Sequence, residues 1–244
     1  MEDSPLQRLS ILFSPDTLAR LRMAKVAVFG VGGVGSWCAE ALVRSGINEI
    51  TLVDSDRVAL SNINRQLPAL ESTVGEFKVN ALALRLSEIR GGVTIHPVAK
   101  LYTQDSRTEF DWANFDYVID AIDSVNSKID LLMYAKERGC SVFCSLGAAG
   151  KLDPTLVRAV SIWKTSGCPL GRLVRTGLRN RNFTGDFTAV YSEEHPREGY
   201  CVITKEGGKP ALGSFVAVTA TFGMTLASLV VRDIEARAEK SKVL

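Results

Sequence analysis

Residues 26–56, VAVFGVGGVGSWCAEALVRSGINEITLVDSD, decide the fold. Residues 26–29 form a short apolar run of β-formers that stops at a glycine. Gly30, Gly32 and Gly35 then fit G-x-G-x-x-G, with Gly33 beside them. Residues 36–45 place Trp37, Ala41 and the Leu42–Val43 pair at helical spacing, and residues 50–53 read as a second strand ending at Asp54. Strand, glycine loop, helix, strand and acid make a βαβ unit with a nucleotide fingerprint. The glycines let the backbone turn tightly and approach a phosphate. The helix start offers it unpaired N–H groups and a positive dipole end. Asp54 can accept hydrogen bonds from ribose hydroxyls. The bland alternative is a glycine turn that only packs a helix against a sheet. The fingerprint alone does not choose between NAD, FAD, S-adenosylmethionine and ATP.

Working outward, residues 58–70 form a loop and residues 75–90 a helix with Val79, Leu82, Leu86 and Ile89 inward. Strands follow at 93–98 and 116–120, a helix at 126–138 and a strand at 141–145. This alternation predicts an α/β, Rossmann-like, doubly wound and mainly parallel sheet with helices on both faces. Beyond Lys151 the pattern changes to a strand at 156–163, a helix at 169–178, a strand at 187–191 and a loop to Lys209. A closing helix at 214–232 completes a C-terminal extension. The expected organisation is a helical arm at 1–24, a nucleotide-binding core at 25–150 and an extension at 151–244, one continuous domain. In the arm, Pro15 suits a first helical turn with Ser14 as its N-cap.

Composition narrows the class. The 244 residues carry a net charge of +2, as an ordinary soluble globular chain does. Five cysteines form no C-x-x-C pair and nothing at the start reads as a secretory leader, so reduced thiols and a cytoplasmic location are expected. Residues 210–231 carry no charge and are long enough to cross a bilayer, but their Ala, Gly, Ser and Thr content points to a buried helix without stable membrane insertion.

The carboxyl ends of the strands gather charge. Arg65 follows the second strand, Lys78 opens the next helix, and Asp123 follows the fourth strand. A cation in a first helical turn opposes the dipole, so an anion near Lys78 would account for its place. Two cations and a carboxylate around a nucleotide suit a triphosphate and magnesium better than a nicotinamide. Residues 154–185 contain no acid but hold Arg158, Lys164, Arg172, Arg175, Arg179 and Arg181. Arg172, Arg175 and Arg179 share one helix face, which together with Arg181 is either a solvated basic face or a contact for nucleic-acid phosphates, and the one-sidedness favours contact. Trp163, Phe183 and Phe187 lie close by as candidates to stack an unpaired base, with core packing expected for at least two of them.

GVGGVGS at 30–36, D-x-D at 54–56, SNINRQ at 61–66, TVGEFK at 73–78 and DAIDSV at 120–125 resemble the ThiF/MoeB/HesA superfamily of adenylate-forming enzymes, relatives of ubiquitin-activating enzymes. The resemblance implies an ATP site built from Gly30, Gly32, Gly33, Gly35, Asp54, Asp56, Ser61, Asn62, Asn64 and Ser124. Arg65 and Lys78 would hold the triphosphate and Asp123 the magnesium. Arg8 would reach the ATP of the other subunit of a homodimer. The C-x-x-C pairs of zinc-binding members are absent, so no zinc is expected. KLDPT at 151–155, Lys164-Thr165, TATFG at 219–223 and Lys128 in DAIDSVNSK resemble the branch that dehydrates threonylcarbamoyladenosine in tRNA. Ser14 and residues 146–149 depart from that branch, where glycine is more frequent. The implied partners are tRNA bearing that nucleoside and, beside the enzyme, a cysteine desulfurase with its sulfur acceptor. A monovalent cation in the loops is a further possibility, and Cys201 a thiol for sulfur relay. Two other functions fit the same fingerprint: adenylation of a ubiquitin-like sulfur carrier, and an NAD-binding oxidoreductase or redox-sensing module.

Overall fold

The structure, a computed structural model, describes residues 4–202 and 211–241. Of the loop expected to run to Lys209, residues 203–209 lie outside the described residues, and Cys201–Val202 form a short strand. Two short helices, α1 (Gln7–Leu12) and α2 (Pro15–Met23), precede β1 (Lys25–Phe29). Ser14 caps α2 by accepting from the Thr17 amide, with Pro15 in the first turn, as expected.

The elements α3 (Gly35–Arg44), β2 (Glu49–Val53), α4 (Lys78–Ser87), β3 (Thr94–Val98), β4 (Tyr117–Asp120), α5 (Val125–Glu137) and β5 (Ser141–Ser145) follow. Next come β6 (Val157–Ser161), α6 (Pro169–Asn180), β7 (Thr188–Ser192), a small ribbon of β8 (Cys201–Val202) with β9 (Ala211–Leu212), and α7 (Val216–Lys240). The seven-stranded sheet runs β3-β2-β1-β4-β5-β7-β6, parallel except for β6 against β7. Chain order reverses between β1 and β4, so the crevice at their carboxyl ends is where a ligand is expected.

β1 shows why both faces must be covered. Val26 and Val28 point into one core with α2, α3, α4 and α7, while Ala27 and Phe29 point into the other with α5 and α6. A parallel strand buried on both faces reads as continuous apolar sequence. Phe29 anchors the second core, its ring 5.3 Å from Tyr102, 5.4 Å from Phe110 and 5.8 Å from Trp112.

Several boundaries differ from expectation, three of them for reasons the structure shows. α4 starts at Lys78 rather than Gly75, because Gly75 is left-handed at φ +93° and Phe77 bridges Arg57 in an extended conformation. The 156–163 strand is shorter, since Ser161 caps a tight 3-10 turn at Ile162–Lys164. α7 continues past Arg232 to Lys240, because Ile234 and Ala238 extend its buried face and Asp233 accepts from Tyr117 Oη at 2.8 Å. By length and composition α7 could cross a membrane, yet it is half buried here and packs on α2, α3 and the sheet. Gly223 makes its approach to α3 possible: a Cβ there would lie 2.5 Å from the Val34 carbonyl oxygen.

Glu40 ties α3 to α4, receiving Arg44 and Arg85 at 2.8 Å each. Burial pushes its carboxyl up, but the hydrogen bonds from Arg85 and Arg44 outweigh it and hold it below its ordinary value. A carboxyl lowered on folding adds stability above its unfolded pKa and loses it as pH falls through the folded value. Glu40→Gln is therefore expected to melt earlier than wild type at neutral pH, by about 1.5–3 kcal/mol. The two melting curves should converge in acid, once Glu40 is protonated in both states; a pH series of thermal melts checks this.

Candidate nucleotide site

The glycine loop closes tightly under β1. Gly30 is left-handed at φ +86°, and a Cβ there would stand 2.6 Å from the Ala121 carbonyl oxygen. A Cβ on Gly35 would stand 1.8 Å from the Gly30 carbonyl oxygen. These positions leave room for backbone only. At Gly32 and Gly33 a Cβ would instead meet side chains, Gln66 at 3.7 Å and Arg65 at 3.3 Å. The first turn of α3 has no side-chain cap; the Ser36 amide donates to the Gly32 carbonyl at 3.2 Å, while the Gly35 and Trp37 amides have no acceptor among the described residues and remain open to an anion.

Asp54 organises the rim. Its carboxylate accepts from the Val31 amide at 2.9 Å and the Asp56 amide at 2.8 Å, tying the glycine loop to the D-x-D turn. Burial pushes this carboxyl above its ordinary value against the pull of those amides and of Lys78. Asp56 supplies the anion that the position of Lys78 called for. Lys78 Nζ donates to Asp56 Oδ2 at 2.8 Å, and the Lys78 amide donates to the Asp56 carbonyl at 3.0 Å. Lys78 is buried while Asp56 is mostly exposed, so this ammonium keeps a partner that solvent can readily replace.

The loop after β2 carries Arg65 to the same place. Ser36 Oγ donates to the Gly32 carbonyl at 2.6 Å and accepts from the Leu67 amide at 3.3 Å, while Trp37 Nε1 donates to the Arg65 carbonyl at 3.0 Å. The Arg65 guanidinium donates to the Ser61 carbonyl and to Asn64 Oδ1, each at 2.8 Å. Burial pushes Arg65 down from its ordinary value, but a guanidinium stays charged at working pH. Asn62 and Asn64 serve the loop itself: Asn62 Oδ1 accepts from the Ala59 amide at 3.2 Å, and Asn64 Nδ2 donates to the Ser214 carbonyl at 2.9 Å. Asp123 and Ser124 are exposed on the turn after β4, across from the glycine loop. Arg8 is exposed on α1. Leu6, just before it, faces Gly46 near the amino ends of the strands, so the structure does not bring Arg8 to this chain's own loop.

Gln66 is a neighbour that residue types did not single out. It is 8% exposed beside Gly32, and its Oε1 is buried without a hydrogen-bond partner among the described residues. A buried acceptor without a donor costs about 1–3 kcal/mol, so a donor from a bound molecule would relieve it. Backbone-only glycines, an open helix start, Arg65, Lys78 and an orphaned amide fit a nucleoside polyphosphate. Asp123 fits a magnesium held by one carboxylate and phosphate oxygens.

Also unforeseen is a buried ion pair below the site. Lys128 Nζ donates to Asp120 Oδ2 at 2.7 Å and to the Ser145 carbonyl at 2.9 Å, and both charged side chains are fully buried. Cys144 Sγ lies 3.2 Å from Asp120 Oδ2, and burial pushes that thiol well up. For Lys128, burial pushes the ammonium down, and Asp120 more than offsets it, so the ammonium is held above its ordinary value. The only signal in the sequence was Lys128 within DAIDSVNSK.

The basic segment changes on inspection. Arg158 pairs with Glu193 at 3.1 Å, Arg179 lies over the Trp163 ring at 5.4 Å, and Arg175 turns to the Thr165 hydroxyl. Arg175 is thus only partly exposed, whereas Lys164, Arg172, Arg179 and Arg181 are the exposed cations of this segment without an acidic partner among the described residues. Phe187 is core, with Phe183 packed 6.0 Å from it, and Trp163 Nε1 donates to the Gly185 carbonyl.

The ThiF family profile matches residues 6–234. The chain belongs to the ThiF family. A relative in the family, the tRNA threonylcarbamoyladenosine dehydratase of Haemophilus influenzae, is 37% identical over 234 residues, covering 90% of this chain and 89% of that one. The Escherichia coli protein of the same name is 34% identical over 248 residues, covering 94% and 92%. The crystal structure of E. coli tRNA N6-threonylcarbamoyladenosine dehydratase in complex with ATP superposes with a TM-score of 0.88 at 32% identity, over 97% of this chain and 96% of that one. The ThiF fold accounts for the seven-stranded sheet and for the place of the glycine loop at its crossover.

Proposed function

We propose that this chain is an ATP-dependent tRNA threonylcarbamoyladenosine dehydratase. The observation that carries the chemistry is the joint placement of Arg65 and Lys78 beside the glycine loop and the uncapped start of α3, at the sheet's crossover. The threonyl carboxylate attacks the α-phosphorus of ATP, pyrophosphate leaves, and an acyl adenylate forms. The carbamoyl group of the same side chain then attacks the acyl carbon, closing a ring and releasing AMP. The nucleoside loses the elements of water. Attack within one side chain gains proximity without a cysteine nucleophile.

In this reading Asp54 holds the ribose, with Asp56, Ser61, Asn62, Asn64 and Ser124 along the rim. Arg65 and Lys78 hold the triphosphate and stabilise charge as pyrophosphate departs. Asp123 would hold magnesium, which neutralises phosphate charge when bound. Arg8, remote from its own glycine loop, serves the partner subunit of a homodimer. The five cysteines are free, which suits a cytoplasmic enzyme working beside a cysteine desulfurase and its sulfur acceptor, with a monovalent cation as an optional loop ligand.

Lys164, Arg172, Arg179 and Arg181 meet tRNA phosphates. Arg172→Ala with Arg181→Ala is expected to weaken binding of all tRNAs alike and to flatten the salt dependence by about one phosphate contact per residue, read from filter binding across a salt series.

Pyrophosphate exchange tests the reading. Exchange into ATP should be stimulated by tRNA bearing threonylcarbamoyladenosine and not by unmodified tRNA. Stimulation by a ubiquitin-like protein with a Gly-Gly tail instead would transfer the assignment to sulfur-carrier activation. Binding of NAD without ATP would move it to a redox module.

A further inference from the structure

The Asp120–Lys128 pair does more than fill the core. β4 and β5 are parallel neighbours, and Lys128, on the second turn of α5, reaches the carboxyl end of both: the Asp120 carboxylate on β4 and the Ser145 carbonyl on β5. The other Asp120 oxygen accepts from the Ile122 amide at 3.1 Å, which bends the chain immediately after β4. Ala121, inside that bend, carries the carbonyl that leaves no room for a side chain at Gly30. Asp123 is the next residue but one. A single chain of contacts therefore runs from Lys128 through Asp120 to Ile122, and from the bend to the glycine loop and Asp123. Buried ion pairs add little net stability compared with apolar residues of similar volume, so their retention asks for another reason.

We propose that Lys128 is a positioning residue for the nucleotide step, acting through Asp120 to hold the 121–123 bend against the glycine loop and to aim Asp123 at the magnesium of bound ATP. The inference rests on the ATP reading above, and not on the tRNA substrate. Its mechanical part is the cross-brace between two strand ends. Removing only one charge would leave the other buried alone and unfold the protein for an unrelated reason. The informative variant is therefore Asp120→Leu with Lys128→Met, which removes both charges and the Ile122 acceptor together.

The full-length protein is titrated with ATP in a calorimeter, once with magnesium and once with EDTA, and its melting transition is recorded. The double variant is expected to stay folded and to lose about tenfold or more in ATP affinity with magnesium present, as loss of a ligand-orienting contact does. In EDTA the loss should be clearly smaller. Equal losses in both conditions, or none in either, would overturn the proposal. Should the double variant not fold, hydrogen exchange on the wild type decides. Magnesium and ATP should slow the Ile122 amide together with the glycine-loop amides, and protection of the loop without Ile122 would overturn it. A wild type that binds no ATP at all would instead sink the functional reading on which this one stands.

Discussion

Lys78→Met is expected to fold as the wild type does and to lose about 10²–10³-fold in the rate of adenylate formation. The substitution keeps the buried stem and removes only the ammonium. The acid it hydrogen-bonds, Asp56, is 67% exposed and returns to water; Asp54, which also feels the ammonium, keeps the Val31 and Asp56 amides as donors. Fold and chemistry therefore separate at this residue. The exposure of Asp56 screens the pair and limits what it adds to stability. The same ammonium, set at the start of α4 where it opposes the helix dipole, gains its value only when polyphosphate replaces Asp56. Single-turnover formation of AMP, with the melting temperature measured alongside, checks both halves. A variant that turns over normally would remove Lys78 from the phosphate site.

Gly35→Ala is expected to be the most damaging single methyl group in the glycine loop. The new Cβ would fall 1.8 Å from the Gly30 carbonyl oxygen, and that oxygen is backbone, so no side-chain rotation relieves the clash. Either α3 moves away from β1 or the loop opens. Overpacking of this kind costs about 1–3 kcal/mol, and more where backbone must shift. ATP binding should fall below detection, because loop amides and α3 start no longer converge. Gly91→Ala is the control: a Cβ there meets nothing within 4 Å. It should leave ATP binding unchanged and stability equal or slightly higher, by about 0.4–1 kcal/mol. Thermal melts and ATP titration of the two variants side by side settle the comparison. Wild-type binding by Gly35→Ala would show that the loop is not the phosphate cradle.

What was legible in the sequence was what depends on neighbours along the chain. The glycine loop, the alternation of strands and helices, and the placing of Arg65, Lys78 and Asp123 at strand ends all follow from short-range pattern. α7 is half legible: its charge-free stretch announced a buried helix, but its last turns carry Asp233, Glu235 and Arg237 and hide the spacing of Ile234 and Ala238. The basic segment was legible in composition but not residue by residue, because whether Arg175 faces solvent or Thr165 depends on how residues 162–168 run beside α6. Asp120 and Lys128 were invisible as a pair: one ends a strand, the other sits on a helix, and only the fold brings them to 2.7 Å. Asp54 shows the same limit from the other side. Its position advertised a ribose ligand, while the structure adds that it ties the glycine loop to Asp56.

The most direct test of the account is mass spectrometry of nucleosides from threonylcarbamoyladenosine-modified tRNA incubated with the protein, ATP and magnesium, with Lys78→Met in parallel. The account predicts that the modified nucleoside loses the mass of one water, only with ATP present, and far more slowly with Lys78→Met. A nucleoside of unchanged mass, under conditions where the wild type binds ATP, would contradict it.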